Sequence, residues 1–119
     1  MALSVALAIA TPATAAAEGD VMLVDVDDTI TPVVADYLAD AIGRAEEAGI
    51  PVIVRLDTPG GLDVSMRDIV QSFLNAPVPV IVYVAPEGAR AASAGTFITM
   101  AAHVAAMAPA TSIGAAYPA

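Results

Sequence analysis

The sequence contains no cysteine and no lysine, and only 14% of its 119 residues are charged. Without cysteine the chain can form neither a disulfide framework, nor a thiolate nucleophile, nor a cysteine-ligated zinc or iron–sulfur site. Four arginines stand against 13 acidic residues, which gives a formal net charge of −9. Electrostatic binding to nucleic acid or to an anionic membrane surface is therefore not expected. No cofactor and no metal site are predicted.

Charge is also missing from the whole C-terminal quarter, residues 91–119, which invites a transmembrane interpretation by length. This segment is rich in alanine, glycine, serine and threonine, has no leucine, and is interrupted by Pro109 and Pro118. A tightly packed interior helix and strand suit that composition better than a membrane span. Because 58% of all residues are hydrophobic, the chain as a whole is expected to fold around a packed core.

The N-terminal segment combines a short apolar run with small residues that offer A-x-A cleavage sites ending at Ala15 and Ala17. These are features of a secretory signal, although the first positive side chain is only Arg44 and the usual basic start is missing. We predict a signal peptide over residues 1–17 and a domain over residues 18–119, secreted, periplasmic or on the extracytoplasmic face of a membrane. A disordered alanine-rich leader is the alternative.

From residue 21 onward, apolar runs alternate with helical periodicity. This pattern predicts an α/β fold of repeated strand–helix units with mainly parallel strands. Thr31 is the expected N-cap of the first helix, Pro32 its first residue and Gly49 its end. The predicted strands are 21–26, 50–56, 77–84 and 103–109, and the predicted helices are 29–49, 63–75 and one starting near Ser93. The helix positions predicted for the core are Val34, Leu38, Ala41, Ile42, Ala45, Val64, Ile69, Phe73 and Leu74.

One candidate site is the run LVDVDDTI, in which Asp25, Asp27 and Thr29 follow an apolar strand in the order D-x-D-x-T. This is the first motif of haloacid-dehalogenase-like phosphatases, where one aspartate attacks phosphorus and the second acts as acid and base beside magnesium. Such enzymes also need a downstream lysine and acidic magnesium ligands, and here the last acidic side chain is Glu87. A solvated acidic turn between a strand and a helix is therefore preferred.

Two further motifs point to acyl transfer. The run RLDTPGG places a glycine pair, Gly60 and Gly61, between a strand and a helix, where free N–H groups can bind an oxyanion. The run ARAASAG places Ser93 at the start of a helix with Gly95 two residues later. It is similar to a nucleophile elbow, but Ala91 occupies a position where that motif has glycine. Taken alone, a serine here is more often a helix N-cap.

In their order and spacing, TPGG and ARAASAG, followed by MAPATSIGAAYP, resemble the N-terminal protease domain of the NfeD family. These are membrane-bound serine proteases of the ClpP and crotonase-like class, and the resemblance runs from about Asp20 to the end of the chain. It implies a ClpP/crotonase-like fold, here as an incomplete domain. It also implies that Ser93 is the acylating nucleophile, that the backbone N–H groups of Gly61 and Ala94 form the oxyanion hole, and that Gly60 and Gly95 support the turn.

The resemblance also implies a lysine base downstream of the serine, and this sequence has no lysine. His103 is not expected to replace it, because ten residues and a helix separate it from Ser93. Arg90 resembles a family position beside the nucleophile, without a catalytic role that the sequence defines. We therefore expect the isolated chain to be inactive.

The function implied for the parent protein is cleavage of hydrophobic segments of membrane-associated proteins, such as a stomatin-like partner. Homo-oligomerisation, and membrane association through segments outside this chain, are expected as well. A non-catalytic scaffold or peptide-binding module of the same fold is the main alternative. A crotonase-type enzyme that acts on a coenzyme A thioester is another, since it also requires two oxyanion donors.

Overall fold

The computed structural model describes residues 19–116, so the predicted signal segment 1–17 lies outside the described residues. Strands and helices alternate along the chain, as the sequence pattern predicts. The strands are β1 (Met22–Asp27), β2 (Val52–Asp57), β3 (Val80–Val84), β4 (Arg90–Ala92), β5 (Val104–Met107) and β6 (Ser112–Gly114). The helices are α1 (Pro32–Ala48), α2 (Asp63–Leu74) and α3 (Ala94–Ala101).

The main sheet has four strands in the order β1-β2-β3-β5, and all neighbouring strands are parallel. Val24 of β1 lies opposite Val54 of β2, which lies opposite Val82 of β3. The prediction of an α/β fold with mainly parallel strands is confirmed. Parallel neighbours end at the same edge of a sheet, so the segments that follow β1, β2 and β3 are brought together there.

Helix α1 begins and ends at the predicted residues. The Thr31 hydroxyl accepts a hydrogen bond from the N–H of Val34 at 3.3 Å, and Pro32 follows as the first helical residue. At the other end Gly49 adopts a left-handed conformation with φ 70°, and its N–H reaches the carbonyls of Ala45 and Glu46. Both ends satisfy backbone groups that a helix leaves without internal partners.

One face of the main sheet and all three helices form the core. Alternate residues of β1, β2 and β3 are buried, together with Ile69 and Phe73 of α2 and Ile98 of α3. Two predicted core residues of α2 are in fact exposed: Val64 at 71% and Leu74 at 61%. The buried positions of α2 instead repeat every four residues, beginning at Ser65. Consecutive residues of a helix are about 100° apart around its axis, so Val64 and Leu74, each next to a buried position, lie off this face. On α1, Ala35 is buried and the predicted Val34 is only partly buried.

The charge-free segment after residue 91 forms α3 and β5, but β5 is not an interior strand. It lies at the edge of the main sheet, and all four of its side chains are exposed. Strands β4 and β6 form a separate two-stranded parallel sheet that the sequence pattern did not predict. Within residues 19–116, no helix combines the length and the apolar character that a membrane crossing requires.

The burial pattern of α2 can be tested with two adjacent substitutions. Phe73→Ala is expected to lower the free energy of unfolding by about 3–5 kcal/mol, because it empties a fully buried site. Leu74→Ala, one residue along, is expected to change it by no more than about 0.5 kcal/mol. Urea denaturation of both variants provides the measurement, and equal losses of stability would contradict the assigned face.

Candidate active site

Ser93 occupies the N-cap position of α3 but does not cap it. Its side chain makes no capping hydrogen bond, and its backbone has φ 54° and ψ −115°. Positive φ is unfavourable for a residue with a Cβ atom and costs about 1–3 kcal/mol, and residues in such conformations cluster at functional sites. Ser93 is also exposed. The arrangement is therefore that of a sharp strand-to-helix turn that presents a serine, and the common N-cap interpretation does not hold.

The backbone of Ser93 is held by the small sheet. Its N–H donates to the carbonyl of Gly114 at 2.8 Å, directly after β4 pairs with β6. One turn into α3, the Thr96 hydroxyl lies 3.1 Å from the carbonyl of Ala91 and 2.9 Å from that of Gly114. The N–H of Thr96 also donates to the carbonyl of Ser93 at 2.9 Å. The unusual conformation of Ser93 is thus fixed from both sides.

The TPGG turn runs alongside β4. The N–H of Thr58 donates to the carbonyl of Arg90 at 2.7 Å, and the N–H of Ala92 donates to the carbonyl of Thr58 at 3.0 Å. These bonds place the turn that follows β2 beside the strand that leads to Ser93. Arg90 therefore contributes through its main chain, and its own N–H donates to a carboxylate oxygen of Asp57 at 3.0 Å.

Gly60 lies directly against the serine. A Cβ atom at this position would be 2.7 Å from the Cβ of Ser93 and 3.2 Å from its Oγ. Gly60 also has φ 112°, a conformation that favours glycine. The structure thus brings Gly60 of the TPGG motif into contact with Ser93 of the ARAASAG motif.

Gly61 is enclosed on its other side by Ile30. The N–H of Ile30 donates to the carbonyl of Gly60 at 2.8 Å, and the N–H of Leu62 donates to the carbonyl of Ile30 at 3.0 Å. In a trans peptide the C=O and N–H groups point in opposite directions. Because the carbonyl of Gly60 faces Ile30, the N–H of Gly61 faces away from it.

The N–H groups of Gly61 and Ala94 have no protein acceptor within the described residues 19–116. Ala94 is the first residue of α3, where an N–H group has no partner inside the helix. Gly95 follows it and packs against Thr58, since a Cβ at Gly95 would lie 2.6 Å from the Thr58 methyl carbon. Free donors beside an exposed serine are the features that stabilise an oxyanion in acyl transfer.

His103 lies at the junction of α3 and β5, as predicted, and is bonded to β3. Its N–H donates to the carbonyl of Val80 at 2.9 Å, and its Nδ1 accepts from the N–H of Val80 at 3.0 Å. The imidazole thus takes part in pairing the strands and is not directed at Ser93.

The aspartates of the D-x-D-x-T run belong to another part of the molecule. Both carboxylate oxygens of Asp25 are bonded to Arg55, at 2.6 Å to Nε and 2.9 Å to a terminal nitrogen. These hydrogen bonds from the guanidinium hold the pKa of Asp25 below its ordinary value. Asp25 is therefore engaged in an ion pair, and it is Ile30, at the end of the same run, that contacts the TPGG turn.

Asp25 and Asp27 also line a cavity of about 640 Å³, along with Arg55, Asp57 and Tyr83. Ser93 does not line it. In the same range, no three histidine or acidic side chains are grouped so that they could hold a metal ion. The cavity therefore gives no support to phosphatase chemistry.

The sequence pattern did not identify three contributors to the site: Ile30, Thr58 and the pairing of β4 with β6. Ile30 and β4 act through main-chain atoms, which carry no side-chain signature. Thr58 had a signal, because a threonine that follows a buried strand and precedes a glycine pair is well placed to bond its own turn.

Comparison with known proteins agrees with this geometry. The family model described as the N-terminal domain of NfeD1b matches residues 20–119. Over 67 residues the chain is 55% identical to membrane-bound protease PH1510 of Pyrococcus horikoshii. The aligned segment covers 56% of this chain and 15% of that relative.

Solved structures give the same result. The chain is similar to a serine-to-alanine mutant of the 1510-N membrane-bound stomatin-specific protease, with 42% identity, a TM-score of 0.83, and coverage of 87% of this chain and 50% of that one. A lysine-to-alanine mutant of that protease in complex with a substrate peptide matches with 43% identity, a TM-score of 0.83, and coverage of 87% and 48%. This chain thus spans about half the length of these structures.

A ClpP1 mutant from Listeria monocytogenes shares the fold at 20% identity, with a TM-score of 0.61 and coverage of 68% of this chain and 46% of that one. Together with the closer matches, this likeness identifies the fold as ClpP-like.

The close contact of the glycine pair with Ile30 can be tested by adding single methyl groups. In Gly61→Ala the new Cβ would meet the main chain of Ile30, including its nitrogen at 2.6 Å, so we expect a loss of about 1–3 kcal/mol in the free energy of unfolding. The matched control is Gly43→Ala in the exposed middle of α1, where a Cβ meets no atom within 4 Å. That substitution is expected to add about 0.5–1 kcal/mol by favouring the helix. Thermal melts compare the two, and a Gly61→Ala variant as stable as the original chain would contradict the packing.

Proposed function

The chain belongs to the NfeD1b N-terminal domain family, and on this basis we propose that it forms the nucleophile and oxyanion-hole part of a ClpP-like serine endopeptidase. The observation that supports this most is the uncapped, exposed Ser93, held at positive φ with Gly60 against it. A residue in such a conformation adds nothing to helix stability. Presentation of its hydroxyl to a substrate accounts for it.

In the proposed reaction the Ser93 Oγ attacks the carbonyl carbon of a peptide bond while a base takes the hydroxyl proton. The carbonyl oxygen becomes an oxyanion that accepts hydrogen bonds from the N–H groups of Gly61 and Ala94. Removing one such donor in a serine protease typically raises the barrier by about 3–4 kcal/mol. Collapse of the intermediate expels the amine, which receives the proton from the base, and water then hydrolyses the acyl-serine.

The base is proposed to be a lysine from outside these 119 residues, because the chain contains none and His103 is bonded to Val80. A lysine acts as a base only when burial or a neighbouring positive charge lowers its pKa. One of the similar solved structures is a lysine-to-alanine mutant with a substrate peptide bound, which is consistent with this role for lysine in the family.

The proposed substrates are hydrophobic segments of membrane-associated proteins, including a stomatin-like partner, since the similar 1510-N protein is described as stomatin-specific. We also propose that the domain works on the extracytoplasmic side of a membrane or in the periplasm. Its attachment to the membrane would come from segments outside this chain, and self-association into a homo-oligomer remains a prediction.

The role of Ser93 is tested in a full-length protein that includes the proposed downstream lysine. A fluorophosphonate probe is expected to label it stoichiometrically, and Ser93→Ala is expected to abolish labelling. Ser72→Ala, on the partly exposed side of α2, is the matched control and should retain it. Peptide mapping by mass spectrometry locates the adduct. If the wild-type protein stays unlabelled, the protease proposal fails and a scaffold of the same fold becomes the better explanation.

The isolated 119-residue chain is expected to hydrolyse no peptide, because a serine hydroxyl without a base is a poor nucleophile. A fluorogenic apolar peptide incubated with the purified chain and with its Ser93→Ala variant provides the measurement. Hydrolysis that depends on Ser93 in this chain would show that a downstream lysine is not required.

A further inference from the structure

We infer that Thr58 is the positioning residue of the oxyanion hole, and that its hydroxyl sets the orientation of the peptide that carries the Gly61 N–H. The inference rests on the proposed function, because it assigns a task within that same site. It adds a residue whose hydroxyl is bonded to the main chain of Gly60. Its starting observation is a threonine side chain that is fully buried in a turn of otherwise small residues.

The Thr58 hydroxyl contacts Gly60 on both sides. Its Oγ1 accepts a hydrogen bond from the N–H of Gly60 at 3.1 Å and donates to the carbonyl of Gly60 at 3.4 Å. A hydroxyl has one proton and can also accept, so one side chain satisfies both groups. Gly60 has no Cβ atom and therefore few conformational restrictions of its own, so these two hydrogen bonds restrict its backbone conformation.

The consequence reaches Gly61 through the peptide plane. The carbonyl of Gly60 accepts from Thr58 and from the N–H of Ile30, so its direction is determined by two donors. The N–H of Gly61 belongs to the same planar peptide unit and points the opposite way. Fixing the carbonyl therefore also fixes the donor offered to the oxyanion before any substrate arrives. Such preorganised donors stabilise a transition state without rearranging during the reaction.

Thr58 also sets the distance between the turn and the serine. Its main chain bonds to Arg90 and Ala92 of β4, and its methyl group lies where it would collide with a Cβ at Gly95, two residues after Ser93. These contacts do not depend on the hydroxyl. Threonine is therefore suited to both tasks: the methyl and main chain pack the turn against Ser93, and the hydroxyl orients its peptide.

Two substitutions separate these tasks. Thr58→Val keeps the shape, the methyl contact and the main-chain bonds but removes the hydroxyl. Thr58→Ser keeps the hydroxyl and removes the methyl. Thr99→Val is the matched control, since Thr99 is also buried, at 3% exposure, and its hydroxyl donates at 2.7 Å to the carbonyl of Gly95 within α3.

The measurement is the reaction of Ser93 with a fluorophosphonate in the full-length protein, separated into a limiting rate and a half-saturating probe concentration. Thr58→Val is expected to lower the limiting rate roughly 10- to 100-fold, the effect of misplacing a reacting group by about 1 Å, and to leave the half-saturating concentration within about threefold. Thr58→Ser and Thr99→Val are expected to stay within about threefold of wild type for both. Melting curves of all variants show whether the loss of rate follows the loss of stability.

A Thr58→Val protein that reacts within threefold of wild type, or no more slowly than Thr99→Val, would overturn the inference while leaving the protease proposal intact. A folded Thr58→Ser protein whose limiting rate is a tenth of the wild-type rate or lower would overturn it too, because the packing of the methyl group, and not the hydroxyl, would then determine the rate. That second test holds even if Thr58→Val fails to fold. An unlabelled wild type would instead remove the proposed function, and this inference with it.

Discussion

The site depends on how little room there is around the Gly60–Gly61 peptide. A side chain at Gly60 would collide with Ser93, and one at Gly61 would collide with the main chain of Ile30. The pair is thus fitted between the segment that follows β1 and the one that precedes α3. Ile30 and Thr58 orient its carbonyl, so the opposite N–H is left free beside the serine. If this peptide moved, the proposed nucleophile and its proposed oxyanion donor would no longer share one site.

The parallel sheet brings the segments of this site together. Strands β1, β2 and β3 are neighbours and run in the same direction, so the residues after each of them emerge at one edge. Ile30, the TPGG turn and β4 come from those three places in turn. Three contacts that are distant in sequence are therefore set by one simple topology. Much of the site nevertheless consists of main-chain groups, and these leave little trace in the amino-acid sequence.

The difference between side-chain and main-chain contributions explains which features could be predicted from the sequence. The alternation of apolar runs and helical spacing determines β1 to β3, α1 and α2, and Thr31, Pro32 and Gly49 act at the ends of α1 as their chemistry suggests. Strands β4 and β6 were missed because each has three residues, too few to show a period. The sequence analysis placed Val64 and Leu74 in the core wrongly, because hydrophobicity alone does not show which side of a helix faces the core. The aspartates near β1 suggested a catalytic motif, whereas the structure uses the nearby Ile30 main chain.

Ser93 lies at the N-cap position of α3 in a conformation that differs from that of a capping residue. As an N-cap it would adopt an extended backbone and turn its hydroxyl onto the N–H groups of α3, a gain of typically ~1 kcal/mol. Here the backbone has φ 54°, no such bond forms, and the side chain is exposed. The helix gives up its cap, and the backbone is strained as well. The bonds from Ser93 to Gly114 and from Thr96 to both neighbouring carbonyls offset part of that cost. A chain selected only for stability would have no reason to keep this geometry, so the conformation of Ser93 is itself an argument that its hydroxyl serves a reaction.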